Sequence, residues 1–588
     1  MKLKNDQASS KEITKEIKFD LKKYFSENPI ILGLITVVLV SFIFDMVILT
    51  KYSISYGRDG PYYDIQIQSI FETGFPSSND SPLIYYYLAF FALFFGSFLG
   101  IKIGMSLICS MIAVPAFYLT NIAFKKDNEA TKLPGLVSAC LITFNVYYLR
   151  MIGDFMQNIA GVFFLLIFLI FLIKFLSNTD NKKEFGILSF LFFVLSVLSH
   201  IYIAGLAITL SIGLIAWKII EMTFVEKSFN PIIIKYSLFS IVGLGLLFVL
   251  IIAIFPSTVS NFSKFIAFFN SLTENSSSDA NNMSYSFIVF LTIPYILGLI
   301  ALGKGVFEYL KNIKNEEFRK SNLEKFYLYL MLFGFAFILF FLTQSFIGFD
   351  WRMRFTLLAF VPIALISPLS FKIVKKFIDF EHSDSVENFK KYKNVIAVIG
   401  AVFIISSLIS SVGYASSLGP TITDDQYNEL LFINDSYGNN ISSNDLIICT
   451  DQNLFYWGQY IFNALVKGPN EINSLQLNYY DHIYVLVSVS NVESPFSPSP
   501  SLPWNVFLPM GPDLFPSSKE NQPPRLQETT KAENSTINTL SQPNPPSNPP
   551  TPPEGQIPTN PTNPSGMTIN IDSYLYQGEY YSIGILNI

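Results

Sequence analysis

The sequence predicts an α-helical polytopic membrane protein with about eleven transmembrane helices, an interfacial helix region in the first outer loop and a small C-terminal extracytoplasmic α/β domain. Three observations predict it. Hydrophobic residues are 51% of the 588, Phe alone is 58, and mean hydropathy is +0.40, more apolar surface than a soluble protein can hide. Apolar runs of about 20 residues recur, each long enough at about 1.5 Å per residue to cross a hydrocarbon core of about 30 Å. From residue 414 onward the chain turns mixed and polar.

Residues 1–28 hold seven lysines and read as a cytoplasmic tail. No small-residue cleavage site follows the first apolar run, so Ile30–Leu49 is expected to be an uncleaved signal anchor. The apolar runs then fall at 30–50, 82–99, 101–124, 133–149, 153–175, 185–199, 201–218, 233–255, 285–302, 326–345, 355–371 and 394–413. The net charge of −5 hides an asymmetry that orients them. If 82–99 does not cross, the tail and the loops at 125–132, 174–184, 218–235, 302–325 and 372–393 share one side. That side collects about 28 Lys and Arg, against about six in the opposite loops before residue 414. The expectation is eleven spans in a cell membrane, the N-terminus cytoplasmic and the C-terminal region outside. The run at 82–99 then lies at the outer interface, where Tyr85, Tyr86 and Tyr87 can each keep a phenol wet. The sequons at Asn79, Asn261, Asn275, Asn282, Asn434, Asn440 and Asn534 all fall on the expected outer side. The runs at 185–199 and 201–218 meet at Ser199–His200, read as a tight outer turn between two spans.

The domain organisation follows: 1–28 tail, 29–413 transmembrane domain with 51–99 as its first outer loop, and 414–492 outer domain. In that domain Asp445–Thr450 and His482–Val489 read as buried strands, with a helix-like run near Phe455–Val466 between them. Residues 493–566, rich in Pro, Ser, Asn and Thr, cannot bury enough surface to fold and read as an extended segment. The last stretch, 567–588, alternates as strands do and is expected to return to the outer domain. Cys109, Cys140 and Cys449 imply no disulfide framework. There is no zinc-spaced cluster, no P-loop and no Gly-rich dinucleotide fingerprint, and nothing points to nucleic acid.

Chemistry concentrates in Tyr56–Leu88, YGRDGPYYDIQIQSIFETGFPSSNDSPLIYYYL, which carries Arg58, Asp59, Asp64, Glu72 and Asp80 in a chain only 14% charged. An ordinary solvated loop is the competing reading. The pattern resembles the GT-C superfamily of membrane glycosyltransferases, in the branch of protein O-mannosyltransferases, aminoarabinose transferases and prokaryotic relatives. In them the first outer loop opens on an Asp-Glu-x-x-Tyr-like element, followed by a helix, a Gly-aromatic step and a Pro-Pro-Leu-Tyr-Tyr-like element. Asp59 matches the acid, Tyr62–Tyr63 the aromatic, Gly74–Phe75 the step, and SPLIYYYLAFF from Ser81 the last element. The match covers about fifty residues. Gly60 stands where the family often has Glu, and Asp80–Ser81 replaces a basic-Pro pair. The paired acidic motifs and the Trp-Trp-Asp-Tyr-Gly sequence of oligosaccharyltransferases are absent, since Phe455-Tyr456-Trp457-Gly458 lacks the Asp.

The resemblance implies an inverting transfer of a sugar from a polyprenyl-phosphate-linked donor to an extracytoplasmic lipid, glycan or protein. An acceptor hydroxyl must lose its proton as it attacks, so Asp59 is the candidate general base. The leaving lipid phosphate gains charge, which arginine stabilises, so Arg58, Arg352 and Arg354 are candidates, the last two in DWRMRF at a span end. Interfacial Arg and Trp also anchor helix ends. Candidate acceptor or cavity-lining residues are Tyr62, Tyr63, Asp64, Asp80, Tyr85, Arg150, Asp154, Asn158 and His200. Asp154 could equally pair with Arg150 one helical turn away, and His200 could serve helix packing. Asp59 and Asp64 could hold a divalent cation. The rivals are a transporter or flippase of lipid-linked sugars, which would show broken helices and polar groups at mid-membrane, and an inactive membrane-anchored surface protein.

Overall fold

The computed structural model describes residues 28–78, 80–125, 132–177, 181–226, 288–344, 347, 349–379, 386–416, 418–438, 441–451, 454–462, 464–468, 479–488, 573–578 and 580–586. Among them eight helices are long and apolar enough to cross a membrane: Pro29–Leu49, Ser97–Ala123, Met156–Ser177, Ile201–Val225, Thr292–Lys311, Glu316–Leu342, Arg354–Lys375 and Asn394–Ser416. A ninth arises if Leu133–Thr143 and Val146–Asp154, bent by 48°, count as one span. Ten of the eleven expected spans fall on described residues, and these helices match nine of them when the bent pair counts as one. Lys182–Ser199 falls short because its first turn is spent on Lys182, Lys183 and Glu184. The run at 233–255, the Lys-rich tail up to residue 27, the 493–566 segment, residues 567–572 and the sequons other than Asn434 lie outside the described residues.

The helix breaks have local causes. At His200 the backbone is extended, which separates Lys182–Ser199 from Ile201–Ile220 and lets the imidazole cap the second helix. At Asn145 it is extended again, and the Asn side chain accepts from the Tyr147 N–H at 3.0 Å, starting Val146–Asp154 in a new direction. Leu83–Phe95 has thirteen residues, about 20 Å, too short for the hydrocarbon core. Phe90, Leu93, Phe94 and Phe95 are exposed along it. Gly74 ends the preceding helix, Gly60–Thr73, in the left-handed conformation (φ +84°) that suits glycine.

The C-terminal region is a five-stranded mixed sheet: β1 Leu446–Cys449, β2 Leu465–Lys467, β3 Ile483–Ser488, β4 Ser573–Gln577 and β5 Tyr581–Leu586, in spatial order β2-β1-β3-β5-β4. β1 pairs parallel with β2 and β3, and β5 pairs antiparallel with β3 and β4. The chain's last strands therefore complete the sheet begun before the proline-rich segment. The helix expected over 455–466 is shorter: Phe462 turns extended after Ile461, and Val466, in β2, pairs with Ile447 of β1. All three cysteines are free and buried.

This sheet region is built onto the first loop of the bundle. Ile54, in that loop, is buried in the core the region forms around Leu430, Ile433 and Trp457, with Phe98 packed on its edge. Phe98 lies against the rings of Tyr427 and Tyr460. Ser53 donates to Asp424 at 2.6 Å, Lys51 to the Ser416 carbonyl at 3.1 Å, and the Gly57 N–H to the Gly419 carbonyl at 3.2 Å.

Candidate functional site

The site forms where the Tyr56–Asp59 turn leads into Gly60–Thr73. Pro61 sits in the helix's first turn, where a missing N–H costs nothing. Asp59 is the N-cap residue, yet its side chain makes no capping hydrogen bond. Its carboxylate is half-buried, with its pKa raised to about 7 by burial, then by the neighbouring Asp154 charge, against the opposing charges of Arg58, Arg354 and Arg150. Gly60, where the family often has Glu, is buried with little room, since a Cβ would lie 3.0 Å from that of Ser55.

Asp154 arrives at the end of Val146–Asp154. It forms an ion pair with Arg150 one turn earlier, and its Oδ1 accepts from the Arg58 N–H at 2.5 Å and the Asp59 N–H at 3.4 Å. Arg354 lies over Phe155 and Tyr202, 5.7 and 5.8 Å from the ring centroids. Tyr202 in turn packs against Trp351 at 4.9 Å. Arg352, two residues from Arg354 and so about 200° around the helix, is not among the main charges acting on Asp59. His200 reaches this group through Tyr202. Its Nδ1 accepts from the Tyr202 N–H at 3.3 Å, and its ring lies 4.6 Å from that of Tyr202.

A hydrogen-bonded chain runs along the other side. Gln157 donates to the Tyr85 hydroxyl at 2.6 Å, Tyr85 to that of Tyr62 at 3.2 Å, and Tyr62 to Asp80 at 2.6 Å. Tyr63 accepts from the Gln157 N–H at 3.3 Å, and burial with the Asp59 charge beside it keeps its phenol protonated. Asn158 is buried, and its Oδ1 has no partner among the described residues.

Asp64 belongs elsewhere. It is fully buried and accepts from Ser97 at 2.6 Å and from Ser55, with Lys102 nearby. Five residues along a helix is about 140° of rotation, so Asp59 and Asp64 face different surroundings. No group of three or more His, Cys, Asp or Glu that could hold a metal occurs among the described residues.

One residue was missed in the sequence. Tyr456, on the short helix Phe455–Ile461 of the sheet region, has its ring 5.2 Å from that of Tyr62. Its phenol is pushed up to about 12 by burial and by Asp59 and Asp80, against Arg58 and Arg354, so it faces the same charged groups. Its only signal was the Phe455–Gly458 segment, set aside for lacking an Asp.

No family model and no curated protein matches the sequence. Solved structures do match. The apo oligosaccharyltransferase of Archaeoglobus fulgidus superposes with a TM-score of 0.51 at 12% identity, covering 78% of this chain and 69% of that one. ArnT of Cupriavidus metallidurans bound to undecaprenyl phosphate matches at 0.47 and 10% identity, covering 78% and 93%. Both are GT-C membrane glycosyltransferases.

In fold, this chain is similar to the GT-C enzymes.

The resemblance read from the Tyr56–Leu88 loop thus has a counterpart in the fold of most of the chain. At 12% identity the likeness extends to the fold and no further.

Proposed function

We propose that this protein is a membrane glycosyltransferase moving a sugar from a polyprenyl-phosphate-linked donor to an extracytoplasmic hydroxyl, with Asp59 as general base. The observation that carries the reading is Asp59 itself. It is a half-buried carboxylate with no side-chain cap bond, with its pKa raised to about 7. A base is most effective when its pKa lies near the working pH. The neighbouring Asp154 is held by Arg150 and two backbone N–H groups, so of these two acids Asp59 is the one left for proton transfer.

In the step, the acceptor oxygen forms a bond to the anomeric carbon while Asp59 takes its proton. The bond from that carbon to the phosphate oxygen breaks, and its electron pair leaves with the lipid phosphate. Arg354 and Arg58 supply positive charge for that phosphate, and Arg354 is held in place by the aromatic faces of Phe155 and Tyr202. With Asp59 as base and a single displacement at the anomeric carbon, the anomeric configuration inverts. Tyr62, Tyr456 and Asp80 line the acceptor side.

The test is transfer from radiolabelled polyprenyl-phosphate sugars in proteoliposomes, comparing wild type with Asp59→Asn. Transfer by wild type that collapses in the variant supports the reading. Equal transfer by both removes Asp59 as base, and no transfer by wild type from a broad donor panel turns the weight to transport.

A further inference from the structure

We infer that Asp154 is a positioning residue: from a separate helix it grips the backbone of the Gly57–Asp59 turn and so sets where the Asp59 carboxylate stands. The inference rests on the proposed transfer and adds to it the residue that gives the base its place.

The grip is a convergence of backbone donors. The N–H groups of two successive residues, Arg58 and Asp59, point at one oxygen of a carboxylate about a hundred positions away, at 2.5 and 3.4 Å. Successive N–H groups aimed at one point make an anion-binding concavity, and here the anion belongs to the chain. The other carboxylate oxygen pairs with Arg150, which balances the charge that the turn would otherwise surround alone.

The turn is shaped to this partner. Gly57 has φ +72°, a conformation that side chains rarely adopt, and a Cβ there would stand 2.2 Å from Asp154 Oδ1. Gly153, just before Asp154, meets the Tyr56 ring so closely that a Cβ would fall 2.1 Å from it. On its far side the turn is tied by the Gly57 N–H to the Gly419 carbonyl. The turn is thus held between the bundle and the sheet region, with Asp154 the charged member.

The consequence falls on Asp59. Its side chain makes no cap bond to its own helix, so its position is inherited from its backbone. Displacing a reacting group by about 1 Å can cost about 10² in rate. The groups facing Asp59 are Asp154, Arg58, Arg354, Arg150, Tyr63 and Tyr456, so the Asp154 charge also biases its proton affinity.

The experiment uses the full chain in proteoliposomes, with Asp154→Ala, Asp154→Asn and Gly57→Ala, labelled polyprenyl-phosphate sugars, and hydrogen–deuterium exchange over residues 54–62. Asp154→Ala should speed exchange at Arg58 and Asp59 and lower kcat about 10²-fold, with donor KM within a few-fold. Asp154→Asn keeps an oxygen that can accept both N–H groups. It should recover most of the kcat and slow exchange, and move the pH midpoint of kcat/KM downward because a negative neighbour of Asp59 is gone. Gly57→Ala should speed exchange with Asp154 intact, which keeps the test open if Asp154→Ala folds poorly. Unchanged exchange in Asp154→Ala and Gly57→Ala overturns the grip, whatever the activity. Loss confined to folded yield, with kcat and pH midpoint unmoved, overturns the positioning role. Faster exchange in the variants, with no transfer by wild type from any donor, overturns the transferase reading and leaves the grip standing.

Discussion

Glu221 and Asp59 both sit among cations and tyrosines, and they have opposite characters. Glu221 lies in the π-helical turn Glu221–Val225 and is fully buried. It accepts from Tyr309 and Tyr327 at 3.0 Å each and from Lys218 at 3.1 Å, with Arg319 at 3.8 Å. Its acceptor capacity is taken up by groups from three helices, so it works as a clasp. Asp59 has arginines and tyrosines around it too, but the residue is only partly buried and its side chain makes no cap bond. The difference teaches that a charged cluster alone does not mark a reactive site. An acid that its neighbours surround without satisfying has protons and hydrogen bonds left to exchange with a substrate.

The contrast is broken most directly at the two acids. Asp59→Asn should lower transfer by roughly 10²–10⁴ while leaving folding intact, since general-base catalysis is worth about that much. Glu221→Ala should do the reverse. Removing one partner of a buried ionic cluster costs about 3–5 kcal/mol, so thermal unfolding should drop sharply while turnover per folded molecule holds. A loss of turnover in Glu221→Ala at normal stability would collapse the distinction.

Arg354→Ala should reduce kcat roughly 10²-fold, the scale seen when one donor to a developing negative charge is removed, with Arg352→Ala affected much less. Equal losses from both would place Arg352 at the site as well. A pH series sharpens the picture further. A general base at Asp59 works as the carboxylate, so under the proposed reading kcat/KM should rise with pH and level off above a midpoint of about 7. Stability has the opposite sign. A carboxyl whose folded pKa is raised favours the native state below its unfolded pKa, and that contribution is lost as pH climbs through about 7. Asp59→Asn should therefore raise Tm at pH 8 and change it little at pH 4. The smallest effect is expected at Tyr456. Tyr456→Phe should keep the ring contact with Tyr62 and most activity, whereas Tyr456→Ala should raise the acceptor KM several-fold with donor KM unmoved.

The local parts of this protein were legible in the residues. Apolar length is a one-dimensional property, so Pro29–Leu49, Met156–Ser177 and the other long helices followed from runs of sequence. Strand alternation in 567–588 likewise announced β4 and β5, and the loop's spacing of Asp59, Tyr62–Tyr63 and Gly74–Phe75 carried the resemblance that the fold shares. Span count was less legible, because the helix Lys182–Ser199 begins three residues before the apolar run and spends its first turn on Lys182, Lys183 and Glu184.

What tertiary structure alone decided is which side chains meet. Asp64 looked like Asp59's companion at five residues' distance, and helical rotation carried it to Ser55, Ser97 and Lys102 instead. Asp154 could be paired with Arg150 from i,i+4 spacing, but nothing local shows that its other oxygen reaches the backbone of Arg58 and Asp59. Tyr456 meets Tyr62 only because the sheet region docks on the first loop through Ile54 and Phe98. Sequence spacing sets geometry over a few turns of helix. Contacts across a hundred or four hundred residues depend on how the helices and the sheet region pack, and here that packing assembles the site.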